Sequence, residues 1–230
     1  MGEPKRIALT GISRGIGRAL FEYYAARPEA YTVAGIARSD EAIHELQAQY
    51  PNADAQTCDV RSRLAVEKWS QTALERMQGL DLLILNSGAT LKPQRFDRAS
   101  LLEIEDILNT NYAGMVRVLH SFLPTLRSSS GVIAHITLPA SGFPPAGLVP
   151  YALSKQGAGL LLDLLEAESP KSLTRVNVFP GVVDTALTRS IMGKKADVYP
   201  SAEKWVERAA VRIAGLGPED NGKHISLMRS

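Results

Sequence analysis

Tyr151-Ala152-Leu153-Ser154-Lys155 puts a phenol and an ammonium one helical turn apart on the same face of a helical stretch. A phenol releases its proton near pH 10, and a nearby ammonium stabilises the phenolate and lowers that value. Such a pair can exchange a proton with a carbonyl or alcohol oxygen at neutral pH, with Tyr151 as the acid/base. Tyrosine and lysine at this spacing are common in purely structural helices, so the pair acquires meaning only from what surrounds it.

The second stretch with chemical potential is Thr10-Gly11-Ile12-Ser13-Arg14-Gly15-Ile16-Gly17, which follows the apolar run Ile7-Ala8-Leu9 and precedes a helix-like segment from Ile16 to about Arg27. A helix N-terminus leaves backbone N–H groups unpaired and carries roughly half a positive charge, so phosphate binds there when no side chain obstructs it. Glycines at 11, 15 and 17 remove the obstruction.

Positioning these residues requires an alternating framework, and the chain has one. Strand-like runs at Thr32 to Ala37, Ala53 to Val60, Asp81 to Leu85, Gly131 to Thr137, Arg175 to Phe179 and near Lys223 to Met228 alternate with helical stretches. The helices are read at Glu41 to Tyr50, Arg63 to Met77, Ser100 to Leu126, Tyr151 to Glu168 and Ser201, a good N-cap, to Ala214. Strands without polar alternation are buried on both faces. The expected fold is therefore a doubly wound, Rossmann-like α/β domain over 1–230, with about seven parallel strands and helices on both faces. In such sheets ligands sit outside the carboxyl ends of the strands. Those ends carry Thr10 to Gly17, Ala37-Arg38, Asp59-Val60, Asn86-Ser87-Gly88, Thr137-Leu138 and Pro180-Gly181.

Composition narrows the possibilities. Apolar residues make up 45% and charged residues 22%, as in an ordinary globular protein, and the formal net charge of +2 with only Lys194-Lys195 as a lysine pair argues against a nucleic-acid partner. No apolar stretch approaches the roughly 20 residues of a membrane span. The single cysteine, Cys58, can form neither an internal disulfide nor a thiolate metal cluster, which fits a reducing, cytoplasmic setting and a buried structural thiol. No metal site is expected.

Taken together, the glycine turn, Asn86-Ser87-Gly88-Ala89, Asn111, the Tyr151/Lys155 pair and Pro180-Gly181 make the chain resemble the short-chain dehydrogenase/reductase family, in its short single-domain form. The resemblance implies that Gly11, Gly15 and Gly17, with Ser13, Arg14 and Ile16 of the same turn, cradle the pyrophosphate of a nicotinamide dinucleotide. Asp59 and Val60 would contact the adenine, while Asn86, Ser87 and Gly88 would line the adenosine ribose side and brace the sheet. Lys155 would hold the nicotinamide ribose and depress the Tyr151 pKa, Asn111 would anchor a water linking Lys155 to solvent, and Pro180, Gly181, Val183 and Thr185 would hold the carboxamide. Cofactor choice follows from charge. An NAD site carries an acidic residue about 20 positions beyond the glycine turn. Here Arg38 stands next to that place, and with Arg14 it suits the 2′-phosphate of NADP(H).

One position departs from the family. A serine hydroxyl normally reaches the substrate oxygen from the segment before the tyrosine, and here its place is taken by Leu138. Thr137 is the candidate substitute, Ser141 the other nearby hydroxyl, and Pro139 makes a local rearrangement plausible. His135 is read as facing a neighbouring helix rather than substrate. An NADP(H)-binding sensor without turnover is thus the alternative to an oxidoreductase. The uncharged loop from Ser141 to Pro150 suggests a neutral, partly apolar carbonyl compound or alcohol as substrate, with Ala186 to Tyr199 as a mobile lid. Leucines at 160, 161, 162, 164 and 165 cover about 200° of their helix, at about 100° per residue. Packing on one sheet needs a stripe of only about 100°. The excess suggests a homodimer or homotetramer.

Overall fold

The computed structural model describes residues 3–139, 146–168 and 173–228. Seven strands, Lys5–Thr10 (β1), Tyr31–Ala37 (β2), Asp54–Thr57 (β3), Leu82–Leu85 (β4), Val132–Ile136 (β5), Thr174–Phe179 (β6) and His224–Ser226 (β7), form one sheet in the order β3-β2-β1-β4-β5-β6-β7. Every pairing is parallel. The chain builds outward from β1 to β3 and then restarts on the other side of β1 with β4. Between the carboxyl ends of β1 and β4 lies the switch point where a doubly wound sheet opens a crevice.

Successive side chains on a strand face opposite sides, so each strand feeds two cores. On β1, Ile7 and Leu9 join one core, where Phe21 and Tyr24 of helix Gly15–Ala25 (α1) meet Trp205 and Ile213 of helix Ala202–Ala214 (α8). Ala8 faces the other core, built on Trp69 of helix Arg63–Met77 (α3), Phe122 of helix Gly114–Ser128 (α5) and Leu162 of helix Val149–Leu164 (α6). Trp69 and Phe122 meet edge to face with centroids 5.0 Å apart. Ser39 caps helix Asp40–Gln49 (α2), Ser62 caps α3 and Ser201 caps α8, each accepting from a backbone N–H in the first turn.

Four elements differ from the sequence expectation. The segment read as one helix from Ser100 to Leu126 is Leu101–Leu108 (α4), a π-helical turn at Asn109–Ala113, and α5. The widened turn coincides with Asn111, whose amide is bound to another segment, and helices accept this distortion where a side chain must be aimed. Strand β3 ends at Thr57 rather than Val60, because the Asp59 carboxylate accepts from its neighbour Arg61 N at 2.9 Å and turns the chain. The tyrosine helix begins at Val149, with Pro150 in the first turn where its missing N–H costs nothing. The expected lid contains helix Ala186–Met192 (α7) followed by a 3₁₀ segment, Gly193–Val198. Arg189 ties it down, reaching Asp184 at 2.6 Å and Asp197 at 2.8 Å.

Candidate active site

A cleft of about 980 Å³ opens along the carboxyl ends of the strands, from Arg38 and Val60 at one end to Leu187, Met192 and Tyr199 at the other. The glycine turn forms its floor. Gly11 and Gly15 have φ of +80° and +60°, a region that side chains disfavour. A Cβ on Gly17 would lie 2.1 Å from Gly11 O and 2.4 Å from Asn86 Nδ2, so this glycine serves the close approach of helix and strand. Arg14, which precedes α1, adopts extended backbone and supplies no side-chain cap. The first N–H groups of α1 therefore face the cleft without a capping oxygen, and these backbone atoms fit a diphosphate.

Asn86, Ser87 and Gly88 follow β4 and are held to that floor. Thr10 Oγ1 accepts from both Asn86 N and Ser87 N at 3.0 Å, and Asn86 Nδ2 donates to Thr10 O at 3.0 Å. Thr10 is a positioning residue that the sequence reading passed over; its only signal was a hydroxyl at the end of β1. At the Arg38 end, Arg14, Ser13, Arg38, Ser39 and Val60 line the wall, and Cys58 joins them, its thiol pushed up to about 11 by burial. Asp59, expected at the adenine, is not among the residues lining the cleft, and its carboxylate accepts from Arg61. Against the upward push of partial burial, Arg61 holds its carboxyl below the ordinary range, and Arg61 bridges it to Asp106. Among the described residues, no aspartate or glutamate lines the cleft.

Tyr151 and Lys155 reach the same cleft from α6. Lys155 Nζ donates to Ile136 O at 3.0 Å and Ser87 O at 3.2 Å, which holds the ammonium between β4 and β5. Burial pushes Lys155 down to about 8 and Tyr151 up to about 12. Desolvation sets the direction of the phenol's shift, opposite to the lowering expected from Lys155. Asn111 Nδ2 donates to Ala89 O and to Ser154 Oγ, both at 2.9 Å, and its Oδ1 accepts from Ala89 N at 2.7 Å. Its amide thus pins the π-helical turn to the segment after β4 and to α6.

Pro180, Gly181, Val183 and Thr185 line the opposite wall. Trp205 Nε1 donates to Pro180 O at 2.8 Å, and Thr185 Oγ1 caps α7 by accepting from Thr188 N at 3.2 Å. Thr137, the candidate substitute for the missing serine, lines the cleft, and its hydroxyl donates to Lys155 O at 3.2 Å. Leu138 lies beside Tyr151 in a cluster with Leu148 and Ala152, against which Leu187 and Ile191 pack. Ser141 and the first part of its loop lie outside the described residues, whereas Ala146 lines the cleft. His135 stays off the substrate wall. Its Nδ1 lies 3.1 Å from Asn177 Oδ1, while the Asn177 amide donates to Gly159 O and Asp163 Oδ1. Those acceptors orient the amide and make His135 Nδ1 the donor. Burial and then Lys155 push the imidazole down to about 3.

A doubly wound parallel sheet with a glycine-lined, uncapped helix start at its switch point defines a dinucleotide-binding protein. The chain belongs to the short-chain dehydrogenase family, whose model matches residues 5–196. It is 30% identical over 230 residues, 97% of this chain and 93% of the relative, to an NADPH-dependent pterin aldehyde reductase of Arabidopsis thaliana. It is 28% identical over 198 residues, 81% of this chain and 74% of the relative, to a benzil reductase ((S)-benzoin forming) of Saccharomyces cerevisiae. Among solved structures, an alcohol dehydrogenase of Thermococcus sibiricus complexed with 5-hydroxy-NADP superposes with a TM-score of 0.82 at 26% identity, covering 99% of each chain.

Proposed function

We propose that this chain is an NADP(H)-dependent oxidoreductase that interconverts a neutral, partly apolar carbonyl compound and its alcohol, with Tyr151 as acid/base. The observation that carries the cofactor is the cleft wall, which Arg14 and Arg38 line and no described carboxylate does; the nearby Asp59 is engaged by Arg61. Two guanidinium groups suit a phosphate dianion, and a ribose hydroxyl would want a carboxylate instead. The Arabidopsis relative and the Thermococcus structure, whose names include NADPH and 5-hydroxy-NADP, support the same choice.

Bound along this cleft, the dinucleotide supplies or accepts a hydride at the substrate carbon. The chain itself manages the proton. Tyr151, protonated at neutral pH, donates to the developing alkoxide during reduction. Lys155 keeps a positive charge near that phenol as negative charge grows on it. Asn111, bound to Ala89 and Ser154, fixes the spacing between the segment after β4 and α6 on which this geometry depends. Leu187 and Ile191 of α7 offer the substrate an apolar wall. The loss of NADPH absorbance should be measured for purified protein with aldehydes, ketones, diketones and quinones, with NADH in parallel. Turnover with NADPH at least tenfold above NADH is the expected outcome; NADH preference or no turnover with any carbonyl contradicts the reading.

Association is part of the same proposal. On α6, Leu153, Leu160 and Leu164 are 60%, 56% and 64% exposed, and on the adjacent α4, Leu101 and Leu102 are 74% and 77% exposed. Large exposed leucines concentrated on neighbouring helices support pairing with a second copy. A reducing cytoplasmic setting accords with the single buried thiol.

A further inference from the structure

The Tyr151 phenol is buried against Leu138, Leu148 and Ala152, with Leu187 and Ile191 completing the cluster. Among the described residues, the adjacent hydroxyls are committed elsewhere. Thr137 donates to Lys155 O, Ser154 to Tyr151 O and Thr188 to Val183 O. Of the described side chains, a carbonyl oxygen placed at Tyr151 therefore meets one donor and the aliphatic Leu138.

We propose that Leu138 determines specificity by restricting this site to carbonyls that are already electron-poor: aldehydes on an electron-deficient ring, or ketones flanked by a second carbonyl. The inference rests on the reductase reading and adds the substrate class to it. During reduction a hydride, carrying two electrons, forms the new C–H bond and its donor is oxidised. The C=O π pair moves to oxygen, which takes the Tyr151 proton as the phenolic O–H bond breaks, and the phenolate recovers a proton from solvent. Charge on the oxygen builds before the proton arrives, and losing one donor to it costs about 10²–10³ in rate. An electron-withdrawing substituent disperses the same charge within the substrate and needs no protein group. An unactivated carbonyl has no such relief beside Leu138.

The test uses a series of para-substituted benzaldehydes, from methoxy to nitro, with NADPH and wild type, Leu138→Ser, Leu138→Ala and Ser141→Ala. In wild type, kcat/KM should rise steeply with electron withdrawal. Leu138→Ser should raise the methoxy substrate about 10²-fold and the nitro substrate far less, flattening the slope, whereas Leu138→Ala and Ser141→Ala should leave it steep. An independent readout is the carbonyl ¹³C shift of bound, labelled 4-nitroacetophenone, which should move downfield in Leu138→Ser as a second hydrogen bond forms. Parallel slopes in wild type and Leu138→Ser, an equal effect of Leu138→Ala, a slope changed by Ser141→Ala, or an unmoved ¹³C shift each overturn the inference while leaving the reductase reading intact. If neither wild type nor any variant oxidises NADPH with any aldehyde, ketone, diketone or quinone, the reductase reading falls and this inference with it; turnover confined to carbonyls other than these aldehydes overturns the inference alone.

Discussion

Arg38 places a single guanidinium just past the end of β2, at a cleft that no described carboxylate lines. A hydrogen bond to a charged group contributes about 1.5–3 kcal/mol, and each 1.4 kcal/mol is tenfold in affinity. Arg38→Ala is therefore expected to weaken NADPH binding about 10- to 100-fold and to leave NADH binding nearly unchanged, as read by quenching of protein fluorescence. An equal loss for both dinucleotides would contradict the charge argument. Arg38, Tyr151 and Lys155 were legible in the sequence because their chemistry depends on residue type and on position after a strand or along a helix. The direction of the Tyr151 shift was not legible. It depends on how completely Leu138, Leu148 and Ala152 exclude water, and on Lys155 donating to two backbone carbonyls. The engagement of the Thr137 hydroxyl with the Lys155 carbonyl was hidden for a similar reason, since it depends on how β5 and α6 pack.

At the scale of elements, β5 and β6 carry a buried polar pair between them, His135 and Asn177. The imidazole sits at about 3 in the folded chain and near 6.5 when unfolded. Below about pH 6.5 the unfolded chain takes up a proton that the folded chain refuses. This contribution to stability is present above that pH and is lost as pH falls toward 3. The loss amounts to about 1.4 kcal/mol per pH unit. Urea unfolding from about pH 6 to about pH 4 should show a slope shallower by one proton in His135→Gln than in wild type; identical slopes would contradict the buried neutral imidazole. Most elements were readable from period and punctuation, since continuous apolar strands and serine caps are local signals. The interruption of the long helix at Asn111 was not, because its cause is a contact with Ala89 and Ser154, distant in the chain. The early end of β3 was hidden similarly, in a turn made by Asp59 and Arg61.

For the molecule as a whole, a sheet buried on both faces accounts for two cores and leaves Leu101 and Leu102 of α4 and Leu153, Leu160 and Leu164 of α6 exposed. The leucine-rich arc on α6 was visible in the sequence. Its division into Leu162 facing the core and Leu160 and Leu164 facing outward needed the three-dimensional packing. Leu160→Glu with Leu164→Glu is expected to convert an oligomer to monomers in sedimentation velocity, because two carboxylates cannot be buried in an apolar contact without partners. An unchanged mass would place any association elsewhere. Carbonyl reduction completed by a proton from Tyr151, in a cleft suited to NADP(H), is the reaction proposed here. Its most direct test is NADPH oxidation with an electron-poor aldehyde by wild type and Tyr151→Phe, together with NADPH affinity for both. The expected result is a fall in kcat of about 10²–10⁴ with affinity unchanged; undiminished turnover in Tyr151→Phe would contradict the claim.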